Sequence, residues 1–218
     1  MTLDLREQYN EFPENFSKNQ KEQNQKSREV AYELIQKDLH NSITLDLCCG
    51  DGDDSAYFRK NGAEVIGIDA SKEMIALAKQ NYPDIQFDVG LAEKLPYEDS
   101  KFDNVFSKYA IMTSADMKPI FSEIHRVLKP GGTFVYLVTH PIRQFLEKKN
   151  IKADYFKQEI VDSVILGATV TVHEPSHTFA EYFNADFFTK FEILDYQESW
   201  DPAAEKINDA TYPGFMII

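Results

Sequence analysis

The sequence predicts an α/β fold built on a doubly wound, mainly parallel sheet with helices on both faces, and three observations carry that prediction. Residues 44–52, TLDLCCGDG, are an apolar run that breaks into a glycine-rich turn, as a buried parallel strand does at its carboxyl end. The second apolar run, AEVIGIDAS, delivers Asp69 about twenty residues on, where folds of this kind grip a ribose. Strand and helix patterns then keep alternating, which calls for right-handed crossovers between parallel strands.

Each element follows from local pattern. Residues 11–28 are polar and charged around an early cluster of Tyr9, Phe12 and Phe16, so residues 1–28 read as an N-terminal arm. Val30, Ala31, Leu34, Ile35 and Leu39 recur at helical spacing and predict a helix to about Asp38 before a first strand near Ile43. After the turn a helix fits Asp53 to Lys60, stopped by Asn61-Gly62, where a left-handed cap is accommodated. A second strand spans Val65 to Asp69. Ser71 caps the next helix, with Met74, Ile75 and Ala78 inward and Pro83 beyond its end. A short third strand covers Ile85 to Val89 and a fourth covers Phe102 to Tyr109.

Met117, Ile120, Phe121, Ile124, Val127 and Leu128 mark an amphipathic helix ended by Lys129-Pro130-Gly131-Gly132, and Thr133 to Thr139 is an apolar, β-branched fifth strand. Beyond His140-Pro141 the regularity weakens, which makes residues 142–176 the candidate substrate lid or insertion. A helix from Ser176 or Thr178 through Phe187 follows, then strand-like Phe191 to Tyr196 and a final strand at Gly214 to Ile218. The aromatics Phe179, Tyr182, Phe183, Phe187 and Phe188 are expected to pack inward.

Bulk properties narrow the function. A chain of 218 residues favours one large domain. Its 23 basic and 36 acidic side chains leave a net charge of −13, which repels phosphate backbones and anionic lipid, so neither nucleic acid nor a membrane surface is an expected partner. The first residues lack the basic and apolar pattern of a signal peptide, and a cytoplasmic location is expected. The two cysteines, Cys48 and Cys49, are adjacent, without metal-type spacing, and read as reduced thiols at a strand end.

The turn chemistry discriminates between ligands. Gly50 and Gly52 allow left-handed backbone and a close approach of main chain to ligand. Dinucleotide folds usually place a third glycine under a pyrophosphate, but here Ser55 stands in that place and Asp51, Asp53 and Asp54 crowd the helix start. Carboxylates repel phosphate, so a nucleoside carrying an ammonium or sulfonium suits the site better than a nicotinamide dinucleotide.

TLDLCCGDG, VIGIDASKEMI, AEKLPYEDSKFDNVFS and EIHRVLKPGGTF stand in the order and spacing seen in class I S-adenosylmethionine-dependent methyltransferases, and from Thr44 to Pro141 the chain resembles their small-molecule group, the enzymes similar to ubiquinone and menaquinone C-methyltransferases. The resemblance implies a Rossmann-like, seven-stranded sheet with the last strand antiparallel, and S-adenosylmethionine as cofactor. It implies that Asp46, Cys49, Gly50 and Gly52 line the methionine end, that Asp69 holds both ribose hydroxyls, that Ala70 and Met74 pack on adenine, and that the main chain at Ser107 and Lys108 sits near the methionine amine. Two positions depart from the pattern: Cys48 replaces the usual first glycine, and Leu91, beside the matching Ala92 and Glu93, replaces an adenine-binding Asp.

Transfer from a sulfonium needs alignment and exclusion of water more than a base. Where the acceptor needs one, His140 at the exit of the fifth strand is the candidate, followed by His173 and His177; each also fits a hydrogen-bonded structural role. His40 and His125 fit helix-end or solvent-face positions. The segment Ser107-Lys108-Tyr109-Ala110 lacks the Asn/Asp-Pro-Pro-Tyr signature of amino-group methylation. The expected activity is methyl transfer to a small molecule; a non-catalytic, cofactor-binding partner subunit and a nicotinamide-dependent oxidoreductase are the rival readings.

Overall fold

The computed structural model describes residues 8–11, 17, 25–150, 152–165, 170–200 and 212–218. Its frame is a seven-stranded sheet of β1 (Ile43–Leu47), β2 (Glu64–Asp69), β3 (Gln86–Val89), β4 (Phe102–Lys108), β5 (Leu128–Thr139), β8 (Gln197–Ser199) and β9 (Phe215–Ile217), in the order β3-β2-β1-β4-β5-β9-β8. The first five pair in parallel, and β9 runs antiparallel to both β5 and β8. The strand order reverses between β1 and β4, and there the helices that follow the two strands leave on opposite faces and open a crevice. A separate hairpin pairs β6 (Ile160–Ile165) with β7 (Val170–Pro175).

Why the sheet is buried on both sides is visible along β5. Tyr136 and Val138 join one core with Val105, Phe121, Ile124 and Tyr182, while Val135 and Leu137 join another with Ala31, Ile35, Phe58 and Phe106. Alternate residues of one strand therefore feed two helix layers, which is what an apolar run without polar alternation requires.

The Asp53–Lys60 helix has the bounds its sequence predicts, because Asn61 and Gly62 close it through bonds to the carbonyls of Tyr57, Phe58 and Arg59. Ser71 caps the Lys72–Asn81 helix by accepting from the Met74 amide at 3.1 Å.

Several expectations are corrected. The helix expected from Val30 begins at Gln25, within the segment read as an arm, and Ser27 is already buried. The single helix through Phe187 is two, Phe179–Tyr182 and Ala185–Lys190, because Asn184 caps the second by accepting from the Phe187 amide at 2.9 Å. Phe191 to Tyr196 forms no strand; Phe191 and Ile193 pack on the core, and ladder bonding starts at Gln197, where β9 offers a partner edge. Phe188 is exposed rather than inward. Phe12 and Phe16 lie outside the described residues. The 142–176 stretch contributes the β6–β7 hairpin and most of the Pro141–Glu147 helix.

Candidate active site

The carboxyl ends of β1 to β4 frame a cleft of about 470 Å³, within the range of small-molecule sites. Its floor is set by backbone handedness. Cys48, Gly50 and Gly52 all take positive φ, of 60°, 54° and 83°, so the chain coils tightly between β1 and the helix that begins at Asp53. A Cβ at Gly50 would meet nothing within 4 Å, because that position opens toward the cleft, whereas one at Gly52 would lie 2.7 Å from the Phe87 ring. Gly50 thus supplies ligand room and Gly52 supplies packing room.

Asp69 stands at the end of β2 on the rim. Its Oδ2 accepts from the Gly50 amide at 3.0 Å and its Oδ1 from the Ser71 amide at 2.9 Å. Burial pushes this carboxyl up, and the amide donors partly offset the shift. Ala70 and Met74 flank it, and Leu91 and Ala92 line the wall beyond β3, next to Glu93. Leu91 is 44% exposed and bridges Lys94, so its side chain offers the cleft an apolar surface in place of an acceptor. Cys48 and Cys49 also line the cleft, neither of them in a disulfide.

At the opposite end Lys108, from the end of β4, enters the cleft and pairs with Asp54. Burial alone would raise the Asp54 carboxyl, but Lys108 and Arg28, helped by the Tyr32 hydroxyl, outweigh it and hold Asp54 below the usual carboxylate range. Asp46 lies just behind this pair, 2% exposed and off the cleft lining, accepting from the Ser55 hydroxyl at 2.5 Å. Its burial, reinforced by the charge of Asp54, pushes it up to about 8 against the pull of Ser55 and Lys108. Asp51, Asp54, Asp69 and Glu93 line the cleft with carboxylates, and among its described lining residues Lys108 is the one basic side chain.

Of the positions singled out in the sequence, Cys48, Cys49, Gly50, Asp69, Ala70, Met74, Leu91, Ala92 and Lys108 converge on this cleft. Asp46, Gly52 and Ser107 support it from behind; Ser107 is 1% exposed and off the lining. Tyr9 lines the cleft too, and Gln8 beside it exchanges hydrogen bonds of 3.0 and 2.9 Å with the backbone of His173.

The expectation of a base at His140 does not match the geometry. His140 caps the Pro141–Glu147 helix by accepting from the Ile142 amide at Nδ1, 3.1 Å away, which leaves the proton on Nε2, 3.0 Å from Glu198. Burial depresses its basicity against the pull of Glu198, and it lies off the cleft lining. His177 is buried with Nε2 donating to the Met112 carbonyl at 2.9 Å, and His173 sits on the hairpin with Nδ1 2.8 Å from Asp162; neither lines the cleft.

The far wall is only partly marked in the sequence: Gln158, Ile160 and Pro175 fall within the 142–176 stretch expected as a substrate lid or insertion, while the loop after Lys108 is not singled out. Tyr109, Ala110, Ile111, Thr113, Ser114, Ala115, Gln158, Ile160 and Pro175 close the cleft beyond Lys108, and Gln158 spans to the carbonyl of Ala115 at 3.0 Å. Residues 110–115 belong to a loop without hydrophobic period, so nothing local marks them, whereas Ile160 and Pro175 stand at the open ends of the β6–β7 hairpin.

Comparison with known proteins agrees with this geometry. Residues 45–136 match the family described as "Methyltransferase domain". The chain is 45% identical over 98 residues to "Uncharacterized methyltransferase sll0829" of Synechocystis, covering 44% of this chain and 46% of that protein. It is 34% identical over 149 residues to the demethylmenaquinone methyltransferase of Chlorobaculum tepidum, covering 67% and 61%. The chain therefore spans about half to three fifths of the length of these relatives. Among solved structures, the S-adenosylmethionine dependent methyltransferase of Mesorhizobium loti aligns over 86% of this chain and 95% of its own with a TM-score of 0.67 at 22% identity, and the PH0226 protein of Pyrococcus horikoshii over 88% and 89% with a TM-score of 0.64 at 24% identity; both share the fold.

Proposed function

From the premise that this chain belongs to the class I S-adenosylmethionine-dependent methyltransferases, we propose that it binds that nucleoside in the cleft above Gly50 and transfers its methyl group to a small molecule held under the β6–β7 hairpin. The observation that carries the reading is the pairing of a braced rim carboxylate, Asp69, with the open floor at Gly50 in a cleft whose other charges are mainly acidic. Such a site favours a cation and disfavours a pyrophosphate.

S-adenosylmethionine supplies an already activated methyl group when bound. Asp69 would accept from the two ribose hydroxyls through lone pairs its amide donors leave free. Ala70, Met74, Leu91 and Ala92 would sandwich the adenine by apolar contact. Asp46, Cys48, Cys49, Gly50, Gly52, Ser107 and Lys108 would surround or support the amino-acid end. Tyr9 above the cleft and the hairpin residues Ile160 and Pro175 would shut out water, and Tyr109 to Ala115 would aim the acceptor.

A small acceptor is supported by the demethylmenaquinone methyltransferases among the relatives and by the mixed apolar and hydroxyl lining at Ile111, Thr113, Ser114 and Ile160. The acidic surface disfavours nucleic acid as an acceptor. Among the described residues no helix is long and apolar enough to cross a membrane. Two adjacent cysteines at a ligand cleft, neither in a disulfide, fit a reducing compartment, which supports a cytoplasmic location.

The test is turnover. With S-adenosylmethionine and a panel of phenols, quinols, carboxylic acids and amines, mass spectrometry should detect the demethylated nucleoside in step with one methylated acceptor class. Tight nucleoside binding with no acceptor methylated across the panel would instead support a partner-subunit role.

A further inference from the structure

We propose that the Lys108 ammonium is the partner of the α-carboxylate of the bound nucleoside's amino-acid tail, and so selects nucleosides that carry the whole zwitterion. The inference rests on the nucleoside reading of the cleft and adds to it the residue that reads the far end of the ligand.

Placement comes first. The sheet order runs β3-β2-β1-β4, with the apolar wall of Leu91 and Ala92 after β3, the ribose-type carboxylate Asp69 after β2 and Lys108 after β4. A nucleoside laid along these strand ends, base on the wall and sugar at Asp69, sends its 5′ substituent past Gly50 to the crevice between β1 and β4. Lys108 stands at that crevice.

Charge comes second. The Lys108 side chain is 5% exposed and pairs with Asp54. An ammonium carries three N–H donors, and Asp54 is its one partner among the described residues, which leaves hydrogens to give into the cleft. Asp54 does not depend on Lys108 alone: Tyr32 donates to its Oδ1 at 2.5 Å and Arg28 Nε lies 3.8 Å away on the side off the cleft lining. A zwitterion set beside the Lys108–Asp54 pair meets opposite charges at both ends, carboxylate to Lys108 and ammonium toward Asp54. A tail with only the ammonium would face Lys108 as a like charge.

Calorimetric titration with three probes tests this. S-adenosylhomocysteine carries both tail charges, S-adenosyl-3-thiopropylamine only the amine, and 5′-methylthioadenosine neither. The unaltered protein should prefer the first over the second by about ten- to hundredfold, the value of a charge-assisted contact. Lys108→Met should collapse that preference to within about threefold while 5′-methylthioadenosine binds as before, and Lys108→Arg should restore part of it. Thermal melting of each variant checks the fold. Equal weakening of all three probes in Lys108→Met, or a preference that survives it, would overturn the assignment in favour of a structural ion pair. No binding of any probe to the unaltered protein would overturn the nucleoside reading itself, and this assignment with it.

Discussion

The Asp69 carboxylate accepts a hydrogen bond from the Gly50 amide at 3.0 Å, tying the end of β2 to the turn that leaves β1. The residue proposed to hold a ribose thereby also holds the shape of the floor beneath it. Binding strength and turn geometry are coupled at one side chain.

Asp69→Ala is therefore expected to weaken binding of S-adenosylhomocysteine by tenfold or more, and to cost about 1–3 kcal/mol of stability by leaving buried amides unpaired. Titration and urea unfolding measure the two effects separately. Affinity within twofold of the unaltered protein would remove Asp69 from the ribose contact.

Gly67 lies in β2 where an added Cβ would come within 2.5 Å of the Phe87 ring and 2.9 Å of Cys49 Sγ. Gly67→Ala should destabilise the domain by about 1–3 kcal/mol through overpacking. A lowered denaturant midpoint with an unchanged slope is the expected signature.

Cys48 holds φ of 60°, a region that strains L-residues and β-branched ones most. Cys48→Gly should leave stability within about 1 kcal/mol of the original, while Cys48→Val should cost roughly 1–2 kcal/mol more. Equal melting temperatures for the two variants would contradict a left-handed turn here.

Asp46 titrates near 8 in the fold against an ordinary value of 3.8, because it is buried beside Asp54. A raised folded pKa means stability fully present below about pH 4 and lost as pH climbs through 8. Asp46→Asn should come nearest the unaltered protein at about pH 4 and below, and melt higher by a margin that widens as pH climbs from about 4 to about 8. A constant difference across that range would contradict a protonated Asp46.

His140, capping a helix through Nδ1 and facing Glu198 through Nε2, is expected to act in folding rather than chemistry. His140→Ala should cost about 1–2 kcal/mol and leave kcat within about threefold at pH 7. A fall of about a hundredfold or more, as loss of a general base gives, would reinstate it.

How much of this was legible depended on whether the signal was local. The Asp53–Lys60 helix, the Ser71 cap and the β1 turn follow from short-range chemistry at Asn61-Gly62, Ser71 and Gly50, and the sequence predicts them well. β8 could not be placed, because Gln197–Ser199 pairs only where Phe215–Ile217 arrives from further along the chain. Lys108 shows the same limit within the site: its backbone position was readable, but its pairing with Asp54 exists only after β4 docks beside β1. For His140 the sequence leaves a base and a structural role both open for a related reason, since its partner Glu198 is 58 residues away.

The most direct measurement is a calorimetric comparison of S-adenosylhomocysteine with NADH on the purified protein. One-to-one binding of the first and no heat from the second is the result expected of a phosphate-repelling cleft built on Asp69 and Gly50. Saturable heat from NADH, or none from S-adenosylhomocysteine, would contradict it.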